Sequence, residues 1–312
     1  MCGRFGVLLL ATAVGLPPAA GAAPRRGPCA AIIGHGSPRA RFAILSAFPA
    51  EIAPLVAAAE VQETVEVAGR RYHLGTLGGV RVLLGITGIG IVNATTTARN
   101  VFAHFDVVGL IVSGVAGSPY RIGDVVVPAR WTTGDGRRTF QASRALWELS
   151  DEAARGLTFV RCTPVPPTPP GPTVCLPHQP TLVLADLGRS MDPFGGGAVP
   201  CQPGGGEVLG CELPAPVTAQ VATTIAADDM ETAVIARVAA RHRVPWLALR
   251  AVSDGAGDPL GLPGFPAQFF AYYRLAAANA AAATVALLER VSAPTDTTAA
   301  RRRMCARLAR PR

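Results

Sequence analysis

The sequence contains no lysine, so all 29 of its Lys and Arg residues are arginine. This absence excludes Schiff-base and pyridoxal-phosphate enzymes, because both need a lysine amine as a nucleophile. It also excludes a Walker A phosphate loop, whose lysine contacts the phosphates. The five histidines share no metal-ligand spacing. We therefore predict neither a cofactor nor a metal site.

The positive charge is concentrated at the two ends of the chain. The formal net charge is +8, but residues 1–28 hold three arginines and no acid, and residues 294–312 hold six arginines and one acid. The remaining chain has 20 arginines and 20 acidic residues and is neutral. A nucleic-acid-binding protein is expected to carry its basic surface on the folded domain. We therefore predict no nucleic-acid partner, and a disordered basic tail over residues 294–312.

Residues 1–22 have the pattern of a secretory signal peptide. Arg4 provides the positive start, residues 5–16 are apolar, and small residues follow up to Ala22. The apolar run is too short and too interrupted by proline to cross a bilayer, and we predict no membrane span. We expect cleavage after Ala22, export to the periplasm or the extracellular space, and an exported linker over residues 23–40.

Seven cysteines in an exported chain point to disulfide bonds. Four of them lie between about residues 160 and 216, in a stretch dense in proline and glycine that is not expected to supply regular core elements. Three pairings of these four are possible, and we favour the sequential one, in which Cys162 pairs with Cys175 and Cys201 with Cys211. A zinc site is the alternative, but the spacings of 13, 26 and 10 residues lack the close cysteine pairs that zinc sites use.

Short apolar runs alternate with helical patterns along the rest of the chain. Strands are predicted at residues 41–47, 72–77, 80–87, 107–113, 124–128 and 246–252. Helices are predicted from residue 51 and over residues 92–105, 229–242 and 266–291. This alternation predicts a single α/β domain over residues 41–293, in which helices flank a central mixed β-sheet in three layers and the Pro/Gly/Cys-rich stretch is an insert.

Polar or glycine-rich sequences follow four of the predicted strands, where ligands of α/β sheets bind. They are AFPAE at residues 47–51, TGIG at 87–90, SGVAG at 113–117 and Ser-Asp at 253–254. Together with their flanking residues, these sequences resemble the purine nucleoside phosphorylase and uridine phosphorylase superfamily. The matching segments are FAILSAFPAEIAPL, TGIGIVNATTTARNVFAHF, VVGLIVSGVAGSPYRIGDVVVPAR and DDMETAVIARVAARHRVPWLALRAVSDGAGD. The branch most similar is the 5′-methylthioadenosine/S-adenosylhomocysteine nucleosidases. The resemblance covers about residues 42–130 and 225–291, and it implies the phosphorylase/hydrolase-like fold.

The resemblance implies catalytic roles for two carboxylates. Glu51 matches the glutamate that activates water, and Asp254 matches the acid that protonates N7 of the purine. Cleavage of an N-glycosidic bond develops positive charge on the sugar and negative charge on the base, so an acid at the base and a carboxylate near the sugar both lower the barrier. Asp254 would need a raised pKa, which burial at a strand end could supply.

The resemblance also implies residues that bind and position a nucleoside. Met230 and Glu231 match the pair that binds the ribose hydroxyls, and Ser253 would orient the carboxylate of Asp254. Gly117 lies in the glycine-rich loop that lines the pocket, and Phe265 matches an aromatic residue near the ligand. The strand arginine at position 250 is interpreted as structural.

The same residues have plain structural interpretations. Glu51 can be an acid in the first turn of a helix, where the helix dipole favours it. Asp254 precedes a glycine and can be a turn residue. Glu231 can be a solvated acid on a helix surface.

Water is favoured over phosphate as the nucleophile. Phosphorylases of the superfamily bind phosphate with an arginine and a serine whose matching positions here are Val112 and Val115, and neither side chain can hold phosphate. Asp229 replaces a glutamate of the family motif, and residues 182–194 occupy the place of the purine-recognition segment without a clean match. A phosphorylase remains an alternative, as does a noncatalytic nucleoside-binding or storage-type protein. Family members are dimers or larger rings, so we expect a homodimer or larger homo-oligomer.

Overall fold

The computed structural model describes residues 37, 39–134, 136–167, 169–201, 209–212 and 224–293. The predicted signal peptide and the basic tail lie outside the described residues, as does nearly all of the predicted linker. The same is true of Cys2, Cys29 and Cys305.

The described chain forms twelve strands and five helices. The strands are β1 (Arg41–Ser46), β2 (Glu60–Val67), β3 (Arg70–Leu77), β4 (Val80–Ile86), β5 (Val107–Arg121), β6 (Val125–Thr133), β7 (Thr139–Gln141), β8 (Cys162–Pro164), β9 (Thr173–Cys175), β10 (Leu182–Ser190), β11 (Ala227–Asp229) and β12 (Trp246–Ala256). The helices are α1 (Pro49–Ala58), α2 (Ile91–His104), α3 (Arg144–Ala154), α4 (Thr232–Arg241) and α5 (Ala267–Ser292).

A mixed sheet lies at the centre of the fold, as the sequence predicted. Its strand order is β11-β10-β6-β12-β5-β1-β4-β3-β2, with β7 paired to β6. The neighbours β4, β1, β5 and β12 run parallel, so their carboxyl ends meet at one edge. The strands predicted at residues 72–77 and 80–87 are confirmed as β3 and β4, which form an antiparallel hairpin around Gly78.

Five strands of the sheet close into a ring. Strand β5 pairs with β12, β12 with β6, β6 with β10 and β10 with β11. The ring closes where Asp228 of β11 pairs with Gly117 of β5. The ring therefore brings the carboxyl ends of the parallel strands β5 and β12 close to β11.

The helices flank the sheet in two groups. The alanine-rich α5 packs against α1, α3, β5 and β12, while α2 packs against α4. Alanine favours the helix and lets the sheet approach closely, and residues such as Ala276 and Ala280 on α5 are fully enclosed. No helix in the described ranges has the length and apolarity to cross a membrane.

The structure corrects three expectations about elements. Strand β5 continues past residue 113 to Arg121. Residues 227–229 are a strand, and the helix predicted from residue 229 begins only at Thr232. The stretch at 160–216, expected to lack regular core elements, contains β10, which pairs with β6 inside the sheet. Its sequence LVLADLGRS has no proline and one glycine, so the composition of the stretch as a whole concealed a strand.

Two disulfides follow the sequential pairing. Cys162–Cys175 joins β8 to β9, and Cys201–Cys211 lies across an isolated bridge. The second disulfide contacts the loop after β4, where the N–H of Ile89 lies 3.4 Å from the Cys211 Sγ, and the start of α2, where the Asn93 Nδ2 lies 3.3 Å from the Cys201 Sγ. The insert is therefore fixed against one of the four strand ends that the sequence singled out.

Candidate active site

Arg250 of β12 is the centre of a buried charge cluster. Its Nη2 lies 2.6 Å from Asp229 Oδ2 and 3.4 Å from Glu231 Oε2, and its Nη1 lies 3.5 Å from Glu51 Oε1. The four side chains are between 1% and 6% exposed. Burial alone would lower the pKa of Arg250, but the three carboxylates raise it, so the guanidinium stays charged. One cation thus faces three acids.

Glu51 lies in the first turn of α1, with its carboxylate turned into the protein. Its Oε2 accepts the N–H of Ala47 at 2.5 Å, and its Oε1 accepts the N–H of Val115 at 2.7 Å. Burial raises the pKa of Glu51, while Arg250 and the backbone N–H groups act in the opposite direction. A Cβ on Gly114 would lie 2.2 Å from the Glu51 Oε1, so glycine is required there. A surface acid serving only the helix dipole does not fit this arrangement.

Glu231 immediately precedes α4 and is also enclosed. Its Oε1 accepts the N–H of Gly90 at 2.9 Å. Burial, followed by the charge of Asp229, raises the pKa of Glu231 to about 8. Gly90 has φ 92°, and a Cβ there would lie 3.1 Å from the ring of Phe194. Glu231 is therefore not a solvated helix acid, and its position depends on a glycine that no other residue replaces easily.

Asp254 lies further along β12, beyond Arg250. Its strand position pairs with Gly117, and it is 8% exposed. The Ser253 hydroxyl donates to Asp254 Oδ1 at 2.7 Å. Burial raises the pKa of Asp254, the Ser253 hydrogen bond lowers it, and the charge of Asp228 raises it further. The environment thus favours the protonated carboxyl that a general acid needs.

An Arg189–Asp228 ion pair beside Asp254 was missed by the sequence analysis. Both Nε and Nη2 of Arg189 donate to the Asp228 carboxylate, and the side chains are 18% and 6% exposed. Gly117 of β5 pairs with Asp228 on one strand and with Asp254 on another. The sequence signal that could have indicated this ion pair was the presence of two adjacent acids, Asp228 and Asp229, of which only Asp229 was considered.

Replacing Asp228 is expected to change the pH dependence of any activity that uses Asp254 as an acid. The Asp228→Asn variant loses a negative charge that raises the pKa of Asp254, so the alkaline limb of the kcat/KM profile should move to lower pH. The check is a pH–rate profile of both proteins. Asp186→Asn, at an exposed ion pair with Arg130, is the control. An unmoved limb in Asp228→Asn would contradict the coupling.

Asp229, which replaces a glutamate of the family motif, is part of the charge cluster. It forms the shortest of the ion pairs with Arg250 and accepts the Ser190 hydroxyl at 2.5 Å. It also accepts the hydroxyl of Thr232 and the N–H of Glu231. Asp229 therefore connects Arg250 to the start of α4. Sequence spacing alone did not indicate this role, because Arg250 lies on a distant strand.

The two remaining predicted residues, Met230 and Phe265, are both half-buried. Met230 lies between Asp229 and Glu231 in the chain. The ring centroid of Phe265 is 5.7 Å from that of Phe269, which in turn lies 6.0 Å from that of Phe48. Phe48 immediately precedes α1, the helix that bears Glu51.

The positions expected to hold phosphate in phosphorylases have no such function here. Val112 is fully buried in β5. Val115 uses its N–H to bind Glu51. Within the described ranges, no group of His, Cys, Asp and Glu side chains is arranged to hold a metal ion.

The fold and the site define an α/β protein with a closed ring of strands and a buried carboxylate cluster beyond parallel strand ends. The sequence model of the phosphorylase superfamily matches residues 41–175 and 218–289. The chain belongs to that superfamily, and the resemblance drawn from its motifs is confirmed.

Individual proteins match much of the chain. An uncharacterized protein of Mycobacterium tuberculosis is 37% identical over 54% of this chain and 75% of its own. A 5′-methylthioadenosine/S-adenosylhomocysteine nucleosidase of Shewanella denitrificans is 25% identical over 80% of this chain and 98% of its own. The crystal structure of the Neisseria meningitidis nucleosidase of the same name, in complex with methylthio-immucillin-A, has a TM-score of 0.58 and 23% identity, and the match covers 80% of this chain and 99% of that one.

Proposed function

We propose that the protein is an exported nucleosidase that hydrolyses the N-glycosidic bond of a purine nucleoside of the methylthioadenosine/S-adenosylhomocysteine type. The observation that carries this proposal is the enclosure of Glu51, Glu231 and Arg250 in one cluster, with Asp254 further along the strand that bears Arg250. The similarity to nucleosidases over four fifths of the chain supports it.

Asp254 and Glu51 divide the proton transfers of the reaction. Asp254 donates a proton to N7 of the purine as the bond between the base and the sugar breaks. Glu51 accepts a proton from a water molecule whose oxygen forms the new bond to the anomeric carbon. The products are the free base and the free sugar. Burial raises the pKa of Glu51, and Arg250 together with the N–H groups of Val115 and Ala47 acts against that rise, toward the ionised carboxylate that a base requires.

Glu231 and Met230 bind the sugar. With its pKa raised to about 8, Glu231 is mostly protonated at neutral pH before a ligand binds, and its carboxyl group can donate one hydrogen bond and accept another. Two neighbouring ribose hydroxyls offer both partners. Arg250 and the N–H of Gly90 fix the orientation of that carboxyl.

Export is supported by two features. The first 22 residues have the signal-peptide pattern, and two disulfides stabilise the insert. We propose a periplasmic or secreted protein that forms a homodimer or larger homo-oligomer.

The test is incubation of the mature protein with methylthioadenosine, adenosine, inosine and uridine, with and without phosphate, followed by separation of the products. We expect free purine and free sugar in both conditions. Formation of a sugar 1-phosphate would identify a phosphorylase. Absence of base release from every nucleoside, while a nucleoside still binds, would identify a noncatalytic binding protein.

A further inference from the structure

A cavity lies apart from the carboxylate cluster. It has a volume of about 740 Å³, opens to solvent, and is lined by residues of α2, α4, the β6–β7 turn and the segment after β10. Its lining includes neither Glu51, Glu231 nor Asp254. It borders the cluster where the N–H of Met191 donates to the carbonyl oxygen of Asp229 at 2.7 Å and the N–H of Val234 donates to the carbonyl oxygen of Glu231 at 3.2 Å. The cavity is large enough for a small organic molecule.

Three arginines from different elements line this cavity. Arg99 belongs to α2, Arg138 precedes β7, and Arg237 belongs to α4. Across the residues that the structure describes, none of the three guanidinium groups forms a hydrogen bond or an ion pair, and the Nε of Arg237 is buried without a partner. An unsatisfied buried donor is costly, and a charged one more so. Arg99 and Arg138 are exposed, so the donor that lacks an acceptor among the described residues is the buried Nε of Arg237.

The positive charges of these arginines repel one another. Burial lowers the pKa of Arg237, and the charges of Arg241, Arg99 and Arg138 lower it further. The acid in the lining, Asp192, accepts the N–H groups of Phe194 and Gly196 in its own turn. Among the lining residues that the structure describes, three arginines and one aspartate leave a formal surplus of two positive charges. This surplus matches a phosphate dianion, and guanidinium groups bind phosphate oxygens in a planar fork.

The rest of the lining indicates the body of the ligand. Val92, Phe140 and Val234 present apolar surface, and Thr95 and Thr96 add hydroxyl groups. An inorganic phosphate ion would leave most of the volume unfilled. An organic phosphate with an apolar or aromatic body would satisfy the arginines and cover the apolar side chains.

We propose that the cavity between α2, α4 and the β6–β7 turn is a binding site for an organic phosphate, with Arg99, Arg138 and Arg237 as its anion ligands. The site is separate from the nucleoside site and does not depend on the proposed hydrolysis.

Isothermal titration at constant ionic strength tests the site with phenyl phosphate, inorganic phosphate and, as an uncharged probe, benzyl alcohol. None of these probes contains a nucleoside, so the measurement is independent of turnover. We expect saturable binding of both anions, tighter for phenyl phosphate, and none of benzyl alcohol. Arg237→Met and Arg99→Met should each weaken phenyl phosphate binding by about tenfold or more. Arg99 is exposed, so its replacement should not disturb folding.

The control is Arg155→Met on α3, at an exposed pair with Asp151, which should bind phenyl phosphate like the unchanged protein. Undiminished binding in both Arg237→Met and Arg99→Met, or no saturable binding of either anion, would overturn the proposal. Loss of phosphate binding in Glu231→Gln alone would place the anion in the nucleoside site instead and would also overturn it.

Discussion

The Asp254→Asn variant is expected to release base at least about 100-fold more slowly than the unchanged protein, because a general acid contributes about 10²–10⁴ in rate. Asparagine keeps the shape of the side chain but has no proton to give to the departing base. The enclosed position of Asp254 means that bulk water does not readily replace it. The measurement is kcat/KM for methylthioadenosine and for any other nucleoside found to be cleaved.

Two comparisons separate loss of the acid from loss of the fold. The Ser253→Ala variant removes only the hydroxyl that donates to Asp254, so its effect should be much smaller. Asp186→Asn, at the surface, should leave the rate unchanged. Circular dichroism and the unfolding midpoint of Asp254→Asn should match those of the parent. Full activity in Asp254→Asn would remove Asp254 from the mechanism and with it the proposed division of proton transfers.

Replacing Arg250 by methionine is expected to destabilise the protein by about 3–5 kcal/mol, the cost of breaking a buried charge cluster by removing one partner. Three carboxylates that are almost completely shielded from solvent would lose their common cation. Methionine fills part of the space but offers no hydrogen bond. The measurement is the free energy of unfolding in urea, taken from the denaturation midpoint and slope.

Arg130→Met is the matched control for this variant. Arg130 pairs with Asp186 at the surface, so its removal should cost at most about 1 kcal/mol. Adding Asp229→Asn to Arg250→Met should recover part of the loss, because it removes one of the unpaired charges. A loss in Arg250→Met no larger than that in Arg130→Met would show that the cluster adds little to stability.

The sequence predicted those parts of the fold that have a strong local pattern. The strand at 41–47, the hairpin around Gly78 and the last helix all combine clear apolar periodicity with turn or helix-forming residues. The short β11 and the strand inside the insert have no such pattern, and their pairing with distant strands stabilises them. Local propensity could not reveal these elements, because their stability comes from tertiary contacts.

The residues of the site also divide into those that the sequence predicted and those that only the structure reveals. Glu51 and Glu231 lie at the starts of helices and Asp254 lies near the carboxyl end of a strand, which is where an α/β fold places its ligand groups, so their sequence positions indicated them. The joint contact of Arg250 with Asp229, Glu231 and Glu51 depends on strand register and side-chain direction. Asp228 and Arg189 meet across two strands that were not predicted. Motifs thus indicated the individual carboxylates, and the structure shows the charges that control them.

The closure of the strand ring has a consequence for access. Strand β11 meets β5 through a single residue pair, whereas every other junction of the ring has at least two. Local opening of the ring therefore breaks the fewest backbone hydrogen bonds at the junction of Asp228 and Gly117. This junction lies directly beside Asp254. The part of the ring that opens most readily is thus the part that carries the acid, so local opening there would let solvent exchange with the Asp254 carboxyl while the rest of the sheet stays closed.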